Sequence, residues 1–398
     1  MARSRLDRQW RINALLLGFA SLVLVIGTTC LVVTGCSSGA AAGQRQRPHH
    51  AASGTGTWRR LPVAPFASPA AGGTSVWTGS EMIVAGVRPG RDGTFIDSTE
   101  EAAAYDPASR TWRTLARPPE TGSICPRSAV WTGKRMLVWG CGLTAFDPLT
   151  GSWQRLASAP ASHGIAVWTG TELIGWGGGC CGDAWSGGSA YNPPTNTWRK
   201  LAPSPLAPEQ GPLGAWTGHE LVLFVSGINP ASGKPYPARF ARAAAYDPAT
   251  DTWHRIAPLP EPRQGATAVW DGRELLVVGG NAVGFAYNPA TNRWRRLPAM
   301  EDARVGASAV WTGRRLLLWG GETGRPDSPV IPSRGLAYDP RANRWSRLPK
   351  APLPDRQSTV VWTGHALIVW GGVIGTPPGT THAGDYPKYL TDGAVFIP

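Results

Sequence analysis

The chain has 398 residues, of which Gly (50) and Pro (37) make up about 22 %, so long helices are disfavoured and many turns are required. Trp occurs 20 times and charged residues are only 16 %, which excludes a coiled coil and an intrinsically disordered chain. Lys and Arg outnumber Asp and Glu 39 to 26, a formal net charge of +13.

The first elements read as an export segment. Arg3, Arg5, Arg8 and Arg11 precede an apolar run from Ala14 to Val33. A basic start followed by an apolar core and small residues is a secretory signal. The residues Val33-Thr34-Gly35-Cys36 resemble a bacterial lipobox, and that resemblance implies lipidation of Cys36 after cleavage. An uncleaved single-span anchor is the alternative, because about 20 apolar residues can cross a bilayer. Either reading puts the remainder on the extracytoplasmic face of the cell membrane. Residues 1–35 are thus expected to be the signal peptide and 36–55 a flexible Ser/Gly/Ala tether.

Residues 56–398 repeat one unit. Trp-Thr-Gly, once Trp-Asp-Gly, recurs at Trp77, Trp131, Trp168, Trp216, Trp270, Trp311 and Trp362, a mean period of 47.5. A short apolar strand follows each copy, often ending in a glycine doublet, as in Leu275 to Gly280. Then comes an aromatic with Trp seven positions later, at Tyr105/Trp112, Phe146/Trp153, Tyr191/Trp198, Tyr246/Trp253, Tyr287/Trp294 and Tyr338/Trp345. Four strands, a to d, are predicted per unit. Strand a ends at the first Trp and strand d begins near the second.

This pattern resembles the kelch-repeat β-propeller family, including the central domain of galactose oxidase. The resemblance implies an all-β, seven-bladed ring. Blades one, two and four depart from it at the doublet, with Ala85-Gly86, Gly140-Cys141 and Ser226-Gly227. The last unit stops after Phe396, and its missing strand d stands first in the repeat region, at Thr57 to Pro62. The N-terminal strand is therefore expected to close the last blade and remove the open edge. Fourteen of the Trp hold the two repeat positions and four more (Trp139, Trp176, Trp319, Trp370) precede the doublet, a regularity that points to packing between blades. Trp185 alone in the repeat region escapes the pattern and is a candidate ligand contact.

Chain direction puts a–b and c–d turns on one face and b–c and d–a connections on the other. The first set is uniform and reads as scaffold. The b–c connections vary from almost nothing to about 20 residues, and variable loops on a rigid ring are where recognition sits. Arg127, His163, Arg263, Arg304 and Arg356 lie four to seven residues before the strand-a Trp, where the resemblance implies the mouth of the central channel. Such a ring would suit carboxylates, phosphates or anionic sugars.

Cys125, Cys141, Cys180 and Cys181 form an even set outside the signal, which predicts disulfides. Cys125–Cys141 with a vicinal Cys180–Cys181 pair is one arrangement, and Cys141–Cys180 across blades is its rival. No CxxC spacing suggests zinc. The copper site implied by galactose oxidase, with two His, two Tyr and a Cys–Tyr crosslink, cannot be assembled from the scattered histidines. No phosphate loop, nucleophile elbow or HExxH occurs. No cofactor, no catalytic residue and no nucleic-acid partner is expected, and a monomer is anticipated. The expected role is a membrane-anchored binding module for an extracytoplasmic glycan, wall polymer or protein. A carbohydrate-active enzyme such as a mutarotase or oxidase is the alternative.

Overall fold

The computed structural model describes residues 55–65, 74–88, 99–119, 128–140, 142–160, 164–179, 182–325, 328–332, 334–374 and 388–398. The expected signal peptide, nearly all of the tether and Cys36 lie outside the described residues. So do Arg127, His163, Cys125, Cys141, Cys180 and Cys181. No helix occurs among the described residues.

Seven antiparallel sheets form the blades of a propeller. Blade 1 pairs Thr74–Trp77, Met82–Arg88, Thr99–Asp106 and Thr111–Thr114 in chain order. Blades 2 and 3 run from Ser128–Trp131 to Ser152–Arg155 and from Ile165–Trp168 to Thr197–Lys200. Blade 4 pairs Leu213–Trp216, Leu221–Phe224, Ala243–Asp247 and Thr252–Arg255. Blade 5 pairs Ala266–Trp270, Leu275–Gly279, Asn281–Asn288 and Arg293–Ala299, and blade 6 runs from Ser308–Trp311 to Arg344–Arg347. In blade 7, Gln357–Trp362, Leu367–Ile374 and Gly393–Ile397 are completed by Thr57–Arg60, with Trp58 opposite Phe396. The predicted closure by the N-terminal strand is what the sheet order contains.

Each repeat residue has a mechanical reason. In the Trp-Thr-Gly turns the Thr hydroxyl accepts the amide three residues on, at 2.9 Å from Glu81 to Thr78 and 2.8 Å from Arg315 to Thr312. The following Gly has positive φ, 105° at Gly79, which a side chain would strain. Asp271 replaces Thr in the fifth copy and accepts the Glu274 amide at 2.6 Å.

The core is not central but divided among seven interfaces between neighbouring blades. Strand-b aromatics meet the strand-d Trp of the next blade. Trp139 and Trp198 have ring centroids 4.7 Å apart, and Trp319 and Trp58 are 5.1 Å apart. These tilted pairs add attraction beyond the area they bury. The tryptophan row is therefore packing, as its periodicity predicts.

Candidate functional site

The a–b and c–d turns carry repeated, internally satisfied chemistry. Arg113, Arg199 and Arg295, each one residue after the strand-d Trp, reach Glu81, Glu172 and Glu274 of their own blade at 2.7, 2.7 and 2.6 Å. Blade 4 puts His254 at this position, 3.5 Å from Glu220. Blades 2, 6 and 7 have Gln154, Ser346 and Arg59 there, but the Thr or Asp cap of the a–b turn recurs in all seven blades and leaves little for a ligand to distinguish.

The b–c and d–a connections differ from blade to blade and hold most of the exposed apolar side chains. Of the seven large apolar residues exposed among the described residues, Val63, Trp185, Ile228, Val305 and Val330 lie in these connections. Only Leu149 and Ile397 lie elsewhere.

Arg263, Arg304 and Arg356 do not form an open ring of guanidinium groups. All three side chains are fully buried. Each donates from Nη1 to the carbonyl of the first doublet glycine of its own blade, to Gly279 at 3.2 Å, Gly320 at 3.2 Å and Gly371 at 3.3 Å. The Arg263 guanidinium lies 4.7 Å from the ring of Phe285, on strand c, the third strand out from the axis. Burial lowers the pKa of Arg263 and Arg304 from the ordinary arginine value. Arg356 also pairs with both oxygens of Asp392. Burial alone would raise the Asp392 pKa, but the Arg356 pair outweighs it and the net shift is downward. The physical reason for the difference from expectation is that strand b ends in a tight glycine turn. Its carbonyl needs a donor, and the nearest long donor is the arginine of the preceding connection.

Blade 4 breaks this rule. Glu209 stands where blades 5 and 6 have arginine, and Ser226 stands where they have glycine. The polarity of the tie is inverted. Glu209 Oε2 accepts from the Ser226 amide at 2.7 Å and its hydroxyl at 2.6 Å. Beyond Ser226 the b–c connection folds back on itself. Ile228 pairs with Pro235, the Tyr236 amide donates to the Gly227 carbonyl at 2.8 Å, and the Ala241 amide donates to the Pro205 carbonyl at 2.8 Å. The loop encloses a cavity of about 480 Å³ bordered by Ser226, Ile228, Tyr236, Phe240, Arg242 and Arg255. Tyr236 and Phe240 meet edge to face at 5.9 Å, and the Arg239 guanidinium covers Phe240 at 4.9 Å.

Trp185 is 41 % exposed and adjoins this corner. Its carbonyl accepts the Glu209 amide at 3.0 Å, so the blade-3 connection rests on the segment that buttresses the cavity. Of the candidates among the described residues, Trp185 is exposed, whereas the side chains of Arg263, Arg304 and Arg356 are buried. Arg242 escaped the sequence reading because it belongs to no repeat position, and Arg255 because it holds an ordinary one, two residues after the strand-d Trp, where Arg60, Arg155, Arg296 and Arg347 also stand. A signal existed, however: Ile228 to Tyr246 contains Lys234, Arg239 and Arg242 but no Asp or Glu.

Among the described residues no three His, Cys, Asp or Glu side chains converge as a metal site. His219 and His365 sit in a–b turns and His254 on strand d.

No protein-family model matches the chain, and a comparison with curated proteins finds no match. Among solved structures it is similar to a fungal alcohol oxidase with catalytic diversity among the AA5 family, determined in complex with copper. The identity is 16 %, the TM-score 0.65, and the likeness covers 86 % of this chain and 76 % of that one. At that identity the likeness bears on architecture alone: the chain has the kelch, galactose-oxidase-like seven-bladed propeller fold.

Proposed function

We propose that the chain is an exported, lipid-anchored propeller that binds an extracytoplasmic glycan, wall polymer or protein through its b–c and d–a connections. The observation that supports this most is the asymmetry between the two sets of connections. One set repeats the same a–b turn cap in every blade. The other holds five of the seven exposed large apolar residues and the cavity of blade 4. Apolar side chains held open to solvent next to a concave site are characteristic of interaction surfaces. Export and the anchor rest on the basic start, the apolar run and the Val33 to Cys36 motif.

The test is a binding screen of the full chain against glycans, wall fragments and extracytoplasmic proteins. Val330→Asp and Trp185→Ala are run beside Leu149→Asp, which alters a c–d turn. Binding weakened by the first two and not by the third supports the reading. Binding weakened only by Leu149→Asp overturns it. Anchoring is tested separately by Cys36→Ser, which should release the chain from the membrane fraction.

A second reading, a carbohydrate-active oxidase-like enzyme, is favoured by the likeness to the copper-containing AA5 alcohol oxidase. It predicts peroxide formation from sugars or alcohols by copper-loaded chain. Peroxide production above the metal-only control would favour it over the binding role.

A further inference from the structure

We propose that the blade-4 cavity is a binding site for a carboxylate-bearing sugar residue, with the carboxylate held by Arg242 and Arg255. This rests on the assignment of binding to the b–c and d–a connections and names the ligand class for one place within it.

The cavity has a one-sided charge. Two arginines border it and, among the described residues, no Asp or Glu does. Glu209 lies behind Ser226 of the cavity border, and both of its oxygens are occupied. Its Oε1 accepts the Gln210 amide at 3.1 Å, and its Oε2 takes both donors of Ser226. The two arginines are not neutralised as Arg199 and Arg295 on the opposite set of turns are. Arg199 and Arg295 each donate from two nitrogens to one Glu. Arg242 has no side-chain hydrogen bond or ion pair among the described residues, and Arg255 spends only Nη2, on the Arg239 carbonyl at 2.7 Å. A guanidinium with free donors presents a fork that matches a carboxylate bidentately.

The position of Arg242 is built, not incidental. Its stem crosses Gly227 so closely that a Cβ there would meet Arg242 Cδ at 2.8 Å, and Gly227 has φ of +72°. A side chain at 227 would thus displace the arginine from the cavity rim. Around the cations the lining is aromatic and pyrrolidine: Tyr236, Phe240, Pro235 and Pro237. Flat rings suit the C–H face of a pyranose, while the carboxylate at its edge meets the guanidinium groups. The volume, about 480 Å³, lies within the range of small-ligand pockets.

The experiment titrates the full chain with a glucuronate-containing oligosaccharide and with its carboxyl-reduced, neutral twin. The acidic form should bind at least about tenfold more tightly, the scale of a lost charged hydrogen-bond pair. Arg242→Gln should remove that preference without changing the melting temperature, because Arg242 is exposed. Arg255→Lys, which keeps a charge but loses the fork, should weaken the acidic form alone. Equal binding of the two sugars overturns the carboxylate assignment, as does binding confined to phosphorylated or sulfated sugars or to acidic peptides. If the acidic sugar binds and Val330→Asp abolishes this while Arg242→Gln does not, the cavity assignment falls and the binding face stands. If only Leu149→Asp abolishes it, both fall.

Discussion

Trp58 donates its indole N–H to the carbonyl of Pro349 at 2.8 Å, joining two residues 291 positions apart. The same bond recurs at every blade boundary. Trp112 reaches Pro62, Trp153 Ala116, Trp198 Ala157, Trp253 Ala202, Trp294 Ala257 and Trp345 Pro298, all between 2.8 and 3.1 Å. Seven bonds form a closed circuit, and two of them, from Trp58 and to Pro62, depend on the N-terminal strand. Trp58→Phe removes one bond but keeps the ring beside Trp319 and Phe396, so it should cost about 1 kcal/mol. Deleting residues 55–61 leaves blade 7 with an unpaired edge and should cost several-fold more and promote association. Urea unfolding of both variants, with light scattering on the deletion, measures the difference. Equal midpoints would mean that closure contributes nothing.

A left-handed residue sits at the same point of the c–d turn in six blades: Arg110, Gly151, Asn196, Asp251, Asn292 and Asn343. In blade 5 the Asn292 side-chain oxygen accepts from the Tyr287 hydroxyl at 2.9 Å and from the Ala257 amide at 2.7 Å, linking two blades. Asn292→Ala loses both bonds and strains φ, and should cost about 2–3 kcal/mol. Asn292→Gly loses the bonds but relieves the strain, and should cost about 1 kcal/mol less. Among the described residues no such bonds involve the Arg110 side chain, so Arg110→Gly should be close to neutral. Thermal melts of the three variants rank them, and an Asn292→Gly variant no better than Asn292→Ala would show that the backbone is not strained.

The architecture was legible because its determinants are local and repeated. The Trp-Thr-Gly turn needs only a Thr cap and a positive-φ Gly, and the Tyr and Trp seven apart land opposite each other across the c–d hairpin, as Tyr287 does with Trp294. Closure was legible because a strand d was missing at one end and present at the other. The binding chemistry was less so. Arg263, Arg304 and Arg356 stand at the expected sequence positions, but whether a long side chain points into a channel or back along its blade depends on which carbonyl is left without a donor. The cavity arises from the path of residues 228–241 and from the inverted Glu209–Ser226 tie, and neither is a periodic feature.

The buried arginines differ in what their removal exposes. Arg304 Nε and Nη2 are buried without a hydrogen bond, and Asp302 lies 3.6 Å away and part exposed. Arg304→Met therefore exchanges one bond to Gly320 and a loose pair with Asp302 for relief of a desolvation that outweighs them in the pKa, and should change stability by no more than about 1 kcal/mol. Arg356→Met leaves the part-exposed Asp392 carboxylate with Arg60 alone, 3.7 Å away, and should cost about 2 kcal/mol. Chemical denaturation separates the two. If Arg304→Met proves as damaging as Arg356→Met, the glycine carbonyl tie outweighs the carboxylate pair.

The alkaline limit of the fold follows from the strand-c tyrosines. Tyr246 and Tyr287 are fully buried, and each is pushed up to about 12. Burial is the main cause in both. At Tyr246 the hydroxyl also donates to Asp251 at 2.5 Å, which favours the neutral form, while Arg199 pulls the other way. An unfolded tyrosine releases its proton near pH 10, so above that pH the unfolded chain binds fewer protons than the folded one. The contribution is complete below pH 10 and is lost as pH rises toward 12. Unfolding midpoints in urea should therefore fall between pH 10 and 12. Tyr246→Phe should flatten part of that fall, because the group no longer titrates. Tyrosinate absorbance of the native chain, recorded over the same range, should show Tyr246 and Tyr287 among the last to ionise. A native chain whose tyrosines all ionise near pH 10 while its tryptophan fluorescence stays unchanged would refute the coupling.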